Sequence, residues 1–290
     1  MNLSLRQLRL FEAIARQGHL TRAADEQAIS QSAASQALRE LESNLGYALF
    51  HRLGRELVIT DRGREALQKV IQILTLAEGL RYSEGDEMCG PLRIAASVTI
   101  ASYLLPALLS EFIARYPKVE PDICITNTAE VIQQLESGQV HLGLIEGPAT
   151  HKQLSINPWQ QDELAIFCNP SHELAKNKKV TLRALQNQQW VVREHGSGTR
   201  KVFDTAIQKA GIQAKITLEL NRQEAIKQAV KAGLGIGCLS ALSIVNEVER
   251  GELCRLNTPL ELHRVLSVAC WSEPERHPLA NAFWKFLLPS

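Results

Sequence analysis

Two groups of side chains in this sequence have the types and spacing to do chemistry. The first is Gln31, Ser32, Ser35, Gln36 and Arg39, whose three- and four-residue steps put them on one face of a helix. Gln and Arg pair bidentately with purine edges in the major groove, and Ser reaches bases or phosphates. A helix N-terminus favours a phosphate as well. The second group is divided among three places: Ser97 with Thr99, Asn127, and Ser197 with Thr199. Hydroxyls beside the free N–H groups of a helix start make a small-anion site. Glu146 ends a strand between the second and third places, as a lid or hinge contact.

The elements that must position the first group run from Thr21 to Arg39. They read as two short helices joined by a tight turn, capped by Thr21 and Ser30. Ala23 and Ala24 let the second helix cross closely, and Ile29 turns into the core. Ala34, Leu38, Leu41 and Leu45 form the apolar stripe opposite the Gln/Ser/Arg face. This is helix-turn-helix patterning. A preceding helix, Ser4 to Gln17, opens with a Ser4–Gln7 capping box and stops at Gly18. Leu49 to Thr60 reads as a two-stranded wing turning at Gly54. Thr21, Arg22, Ser30, Arg52 and Arg55 are expected to hold the DNA backbone, while the first group reads bases or adjacent phosphates. An ordinary helical hairpin with a solvated polar face and an exposed basic hairpin fit the same residues without DNA.

The pattern extends to T-x-A-A at Thr21–Ala24, S-Q-S-A-x-S at Ser30–Ser35 and L-E-x-x-L-G-x-x-L-F-x-R at Leu41–Arg52. Over roughly the first sixty residues this resembles the LysR-type transcriptional regulators. Gln27 and Ala34 depart from the family's usual Leu and Val or Leu, both at packing positions. The resemblance implies a linker helix that pairs antiparallel in a dimer, dimers that join into tetramers, and a regulatory half like a two-lobed periplasmic binding protein. Ser97 and Thr99 match the family's effector-contacting helix start. I-E-G-P at 145–148 with R-E-x-G-S-G-T-R at 193–200 looks like the subgroup near sulfur-assimilation regulators, which bind small oxyanions such as sulfate or sulfite.

Composition sets the bounds. The chain has 290 residues, 45% hydrophobic and 22% charged, with a net charge of +1, enough for two or three globular domains. Through Thr60, Arg6, Arg9, Arg16, Arg22, Arg39, Arg52 and Arg55 stand against Glu12, Asp25, Glu26, Glu40, Glu42 and Glu56. A DNA footprint must therefore come from placement and dimerisation rather than bulk charge. The six cysteines are scattered, without C-x-x-C or a close His, which argues against a metal site. Cys124, Cys168, Cys238 and Cys270 lie in apolar strand-like runs as small hydrophobes, with a redox switch as the alternative. The opening residues do not read as a signal peptide and no apolar run reaches membrane-spanning length, so a cytoplasmic protein is expected.

Asp61 to about Ser83 reads as a long linker helix, with Leu67, Val70, Ile73, Leu74, Ala77 and Leu80 as a stripe expected to meet a second copy and so place two heads on a pseudo-palindrome. Residues 84–91 form a Gly- and Pro-marked hinge. From 92 to 290, strands at 92–97, 123–126, 141–146, 163–168, 190–193, 216–220, 235–240 and 266–271 alternate with helices near 100–115, 129–137, 199–210, 223–232 and 241–250. The expected class is an N-terminal all-α winged helix-turn-helix (1–60), a linker helix (61–83) and an α/β two-lobed domain of the periplasmic-binding-protein type 2. Lobe I takes about 92–161 and 268–290, and lobe II about 162–267, with the 279–288 helix returning to lobe I.

A ligand of such a fold sits between the lobes. Ser97, Thr99, Asn127, Glu146, Ser197 and Thr199 are the expected effector contacts, and small donors with few aromatics favour a small anion. Each also has a plain structural role available as a cap, a turn or a solvated strand end. Arg193 and Arg200 either neutralise the anion or pair with Glu194 and Glu146. No G-x-S-x-G, H-E-x-x-H or Walker loop appears, and GLGIG at 233–237 lacks the dinucleotide spacing, so no catalysis and no cofactor are expected. A ligand-binding protein with a helical oligomerisation module and no DNA role is the competing reading.

Overall fold

The computed structural model describes residues 3–53, 56–79, 88–272 and 277–288. The head begins with α1 (Leu5–Gln17), α2 (Leu20–Glu26) and α3 (Gln31–Leu45). The capping box forms as expected: Ser4 Oγ accepts from the Gln7 N–H while Gln7 Oε1 accepts from the Ser4 N–H. Gly18 closes α1 in the left-handed region at φ 70°, where a Cβ would be strained. Ser30 caps α3 by accepting from the Ala33 N–H. Thr21 does not cap α2: the helix starts one residue before it, and His19 holds the cap position without a side-chain bond.

The wing strands β1 (Phe50–Leu53) and β2 (Glu56–Ile59) pair antiparallel. Gly54 and Arg55, expected at the wing tip, lie outside the described residues. The linker helix is α4 (Asp61–Gly79), and its expected end at Leu80–Ser83 and most of the hinge also lie outside them. Its stripe differs from expectation. Leu67, Val70 and Leu74 are buried against Phe11, Leu41 and Leu49 in the core of their own head, while Ile73 and Leu76 are exposed. One helix face thus serves the head, and a second, narrower one is exposed.

The regulatory half runs β3 (Cys89–Ser97), α5 (Val98–Tyr103), α6 (Leu105–Arg115), β4 (Lys118–Thr126), α7 (Thr128–Glu136), β5 (Leu142–Glu146), β6 (Leu154–Cys168), α8 (Leu182–Gln186), β7 (Gln189–Arg193), α9 (Gly198–Lys209), β8 (Lys215–Leu220), α10 (Gln223–Lys231), β9 (Ile236–Ser240), α11 (Val245–Glu249), β10 (Cys254–Leu256), β11 (His263–Trp271) and α12 (Pro278–Leu287). The helix expected over 100–115 is broken, because Pro106 lacks the N–H and crowds the carbonyl four residues earlier. The helix expected over 241–250 is a 3-10 turn followed by the short α11.

Among the described residues the strands order as β4-β3-β5-β11-β6-β9-β7-β8, with β10 pairing β6. The β3–β4, β3–β5, β7–β8 and β7–β9 pairs are parallel; those made by β6 and β11 are antiparallel. Two strands tie the halves together. β6 pairs β11 from Leu154 to Glu163 and then β9 from Leu164 to Phe167; β11 pairs β6 throughout and β5 from Leu266 to Ala269. Leu92, Ile94, Phe112, Leu144, Val268 and Phe283 share one core, and Ile166, Val192, Phe203, Ile236 and Cys238 another, with α12 packed on the first. β6 thus changes partner from β11 to β9 between Glu163 and Leu164.

Candidate functional site

The head presents an open surface. Thr21, Arg22, Gln31, Ser32, Ser35 and Arg52 line one groove of about 850 Å³ between α2, the start of α3 and the wing, with Glu56 at its edge. Thr21, Arg22, Gln31, Ser32, Gln36, Arg39 and Arg52 are exposed and Ser35 is half-buried. The buried stripe of α3 (Ala34, Leu38, Leu41) forces this outward face, since residues three and four apart share one side. Gln36 and Arg39 lie one step round, lining a second groove with Ser4, Gln7, Glu40, Ser43 and Asn44. Gln36 Nε2 donates to Glu40 Oε1 at 3.0 Å. Ser30 is occupied as the cap and bonds to Ser32 at 2.9 Å. Arg55 lies outside the described residues.

The second group behaves in the opposite way. Thr99 and Thr199 come together from the two lobes, but on a carboxylate of the protein itself. Glu146 Oε1 accepts from the Thr99 N–H at 2.9 Å, and Oε2 accepts from the Thr99 and Thr199 hydroxyls at 3.1 and 3.3 Å. Arg264 donates to the same Oε2, to Thr199 Oγ1 at 2.8 Å and to Thr99 Oγ1 at 3.1 Å. Gln223 Nε2 donates to Thr99 Oγ1 at 2.8 Å, a bond from α10 to α5 across the cleft. On its other side Arg264 donates to Asp162 at 2.6 Å, and the Ser240 hydroxyl donates to Asp162 at 2.9 Å. Arg264 and Asp162 are register partners, so the charged centre of the cleft sits on the paired strands β6 and β11.

Glu146 is 1% exposed, which rules out a solvated strand end. Burial alone would raise its carboxyl. The Arg264 guanidinium, then the adjacent Ser97 hydroxyl, Arg193 at longer range and the Thr99 N–H, more than offset this and hold it below the usual range. The Ser97 hydroxyl, 3% exposed, lies beside this carboxylate without meeting hydrogen-bond geometry, and has no partner among the described residues. It fills the cap position of α5 but makes no cap bond. The lobes touch closely here: a Cβ on Gly198 would lie 1.8 Å from the Glu146 carbonyl oxygen.

The other expected contacts are placed beside this cluster. Asn127 caps α7 by accepting from the Glu130 N–H at 3.0 Å; its neighbour Thr128 bonds the Glu146 backbone instead. Ser197 caps α9 at 3.5 Å, a weak bond, and lines a groove of about 610 Å³ with Thr128, Pro148, Gly198, Arg200 and Lys201. Neither open pairing for the arginines reaches Glu146: Arg193 pairs with Glu194 at 2.7 Å, and Arg200 with Asp204 at 2.8 Å and Glu219 at 2.7 Å. Sequence reasoning missed Arg264, Asp162 and Gln223. A signal existed for two of them, because Asp162 and Arg264 are charges abutting apolar strand runs, where an unpaired charge is costly.

A carboxylate on β5, a guanidinium on β11 and two hydroxyls from the starts of α5 and α9 thus meet in one buried cluster. Among the described residues no cluster of His, Cys, Asp and Glu could hold a metal ion, and no helix is long and apolar enough to cross a membrane. The family described as bacterial regulatory helix-turn-helix protein, lysR family, matches residues 5–64, and that described as LysR substrate binding domain matches residues 85–290. The chain belongs to the LysR family. It is 36% identical over 289 residues to YeiE, an HTH-type transcriptional regulator of Escherichia coli K12, covering 99% of this chain and 97% of that one. The regulatory domain of CcmR from Synechocystis PCC6803, solved in complex with 2-PG, is 30% identical with a TM-score of 0.63, covering 68% of this chain and 95% of that one. A full-length OxyR variant from Pseudomonas aeruginosa superimposes with a TM-score of 0.82 over 99% of this chain and 95% of that one; at 20% identity this likeness shows the fold. The protein is thus a LysR-type transcriptional regulator with a helix-turn-helix head and an effector-binding domain, not an enzyme. The competing reading without a DNA role falls with that assignment.

Proposed function

We propose that this LysR-type regulator is a cytoplasmic sensor of a small anion, with a DNA-binding unit at 1–60, a subunit-pairing helix at 61–83, a hinge at 84–91 and an effector-binding unit at 92–290. The observation that carries the effector reading is the seat of Glu146. Its carboxylate already receives a backbone N–H, two hydroxyls and a buried guanidinium, which is the donor set an oxyanion requires. A small anion such as sulfite or sulfate engages these donors, together with the unsatisfied Ser97 hydroxyl, as Glu146 yields its place. Thr99 and Thr199 belong to different lobes, so this exchange alters lobe closure. The effector shifts the protein only as far as it binds the two closures differently. CcmR, solved in complex with 2-PG, supports small-ligand binding by a related domain.

The exposed Ile73 and Leu76 face of α4 is the surface for a second copy, and a dimer sets two α3 helices on a pseudo-palindromic operator, with homotetramers built from dimers. The test is a thermal-shift screen of the full-length protein against sulfite, sulfate, thiosulfate, 2-PG and aromatic acids. At about a hundred times its dissociation constant a specific ligand adds roughly 2.7 kcal/mol. A shift with one small oxyanion, lost in Thr99→Ala, is expected. A shift with an aromatic acid alone overturns the anion chemistry and leaves the regulator.

A further inference from the structure

We infer that Cys168 and Cys254 are a redox-sensitive dithiol that closes to a disulfide when a peroxide oxidises Cys254. The sequence scatters the two thiols, one ending β6 and the other opening β10, and only the sheet unites them. β10 pairs β6 antiparallel, with Cys254 directly opposite Cys168. Residues opposite each other on antiparallel strands have side chains on the same face, with Cα atoms about 4.5–5.5 Å apart. A disulfide needs a Cα separation of about 4.4–6.8 Å, so the bond forms without moving either strand far. Both side chains point to one cluster: Cys168 is fully buried within the core of Leu164, Ile166 and Trp190, and Cys254 packs on its edge, half-buried.

The two thiols differ in a way that assigns their order. Burial, then the neighbouring Cys254, push the Cys168 thiol up to about 12, so it stays protonated and inert toward a solute. Cys254 alone of the pair meets solvent. Its sulfur attacks one peroxide oxygen, the O–O bond breaks, and a sulfenic acid and one water result. Cys168 Sγ then attacks the sulfenic sulfur; the S–O bond breaks and the hydroxyl leaves as a second water with the Cys168 proton. Two thiols lose two electrons, and hydrogen peroxide is reduced to two waters. No other cysteine pair shares a strand register among the described residues; Cys89 is exposed on β3, and Cys238 and Cys270 are buried in separate strands. The resulting link staples β10 to β6, whose earlier residue Asp162 holds Arg264.

The test is hydrogen peroxide treatment of the full-length chain, followed by denaturing thiol counting, intact mass and peptide mapping. The expected result is a loss of two of the six thiols, a mass two hydrogens lower, a Cys168–Cys254 cross-linked peptide, and recovery with a dithiol reductant. Cys254→Ser should keep its remaining five thiols free, and Cys89→Ser should still lose two. Retention of all six thiols in the wild type, a cross-link through any other cysteine, or oxidation of Cys254 to the sulfinic acid without a link to Cys168 would overturn the inference.

Discussion

The head and the cleft treat polar side chains in opposite ways. On the head, Gln31, Arg39 and Arg52 are exposed and their hydrogen-bonding groups face water. In the cleft, Thr99, Glu146, Thr199, Gln223 and Arg264 are buried and bonded to one another. A surface that meets a large, charged partner keeps its donors solvated and loses little stability when one is removed. The cleft keeps its donors mutually occupied, so under the proposed reading a ligand would act by exchange rather than by filling a void. Binding chemistry and fold stability are therefore separable in the head and entangled in the cleft.

The sharpest way to break this contrast is Arg264→Ala. It strands Glu146 and Asp162 in the interior, and the loss of one partner of a buried ion cluster costs about 3–5 kcal/mol. Urea unfolding of the regulatory transition should show it; a midpoint within error of wild type would mean that the cleft is as open as the head. Next is Glu146→Gln, expected to cost roughly 2 kcal/mol at neutral pH, the scale of a charged hydrogen bond. The pH dependence gives the sign. The Glu146 carboxyl is depressed in the folded protein, so its contribution is full above about pH 4.3, the unfolded value, and is lost as pH falls through the lower folded value. Thermal melts from pH 6 to pH 3 should therefore fall less steeply for Glu146→Gln than for wild type.

On the head, Arg39→Ala should weaken operator binding by about 1–3 kcal/mol while leaving the melting temperature unchanged. A gel shift with a parallel melt checks both, and a large stability loss would dissolve the distinction between the two regions. Ser30→Ala should give a smaller effect, about 1 kcal/mol of stability from the lost cap on α3, read by denaturant unfolding. Thr21→Ala, on a residue that caps nothing, should leave stability unchanged in the same measurement.

The head was largely legible in the sequence because helices fix neighbours by local spacing. Ala34, Leu38 and Leu41 are buried, and the Gln/Ser/Arg face follows opposite them without any knowledge of the rest. What failed there was also local: Thr21 satisfies the composition of a cap, but the helix begins one residue early. The linker helix misled because its stripe looked unpartnered until Leu67, Val70 and Leu74 were seen against the head. In the cleft, Thr99, Thr199 and Glu146 were found as types at strand ends and helix starts. Asn127 and Ser197 had the same signature and turned out to cap α7 and α9 beside the cluster. Polar residues at a helix start look alike whether they face a ligand or their own N–H groups.

The sequence by itself determined the family, the helix-turn-helix and its outward face, and the alternation of strands and helices. Each of these follows from periodicity or from a motif short enough to be read in one window. Only the tertiary structure decided that Arg264, rather than Arg193 or Arg200, meets Glu146, that Asp162 shares it, and that Cys168 faces Cys254. Those pairs join residues far apart in the chain, where spacing carries no information. Their partners are chosen by strand register and by the high cost of leaving a buried charge unpaired.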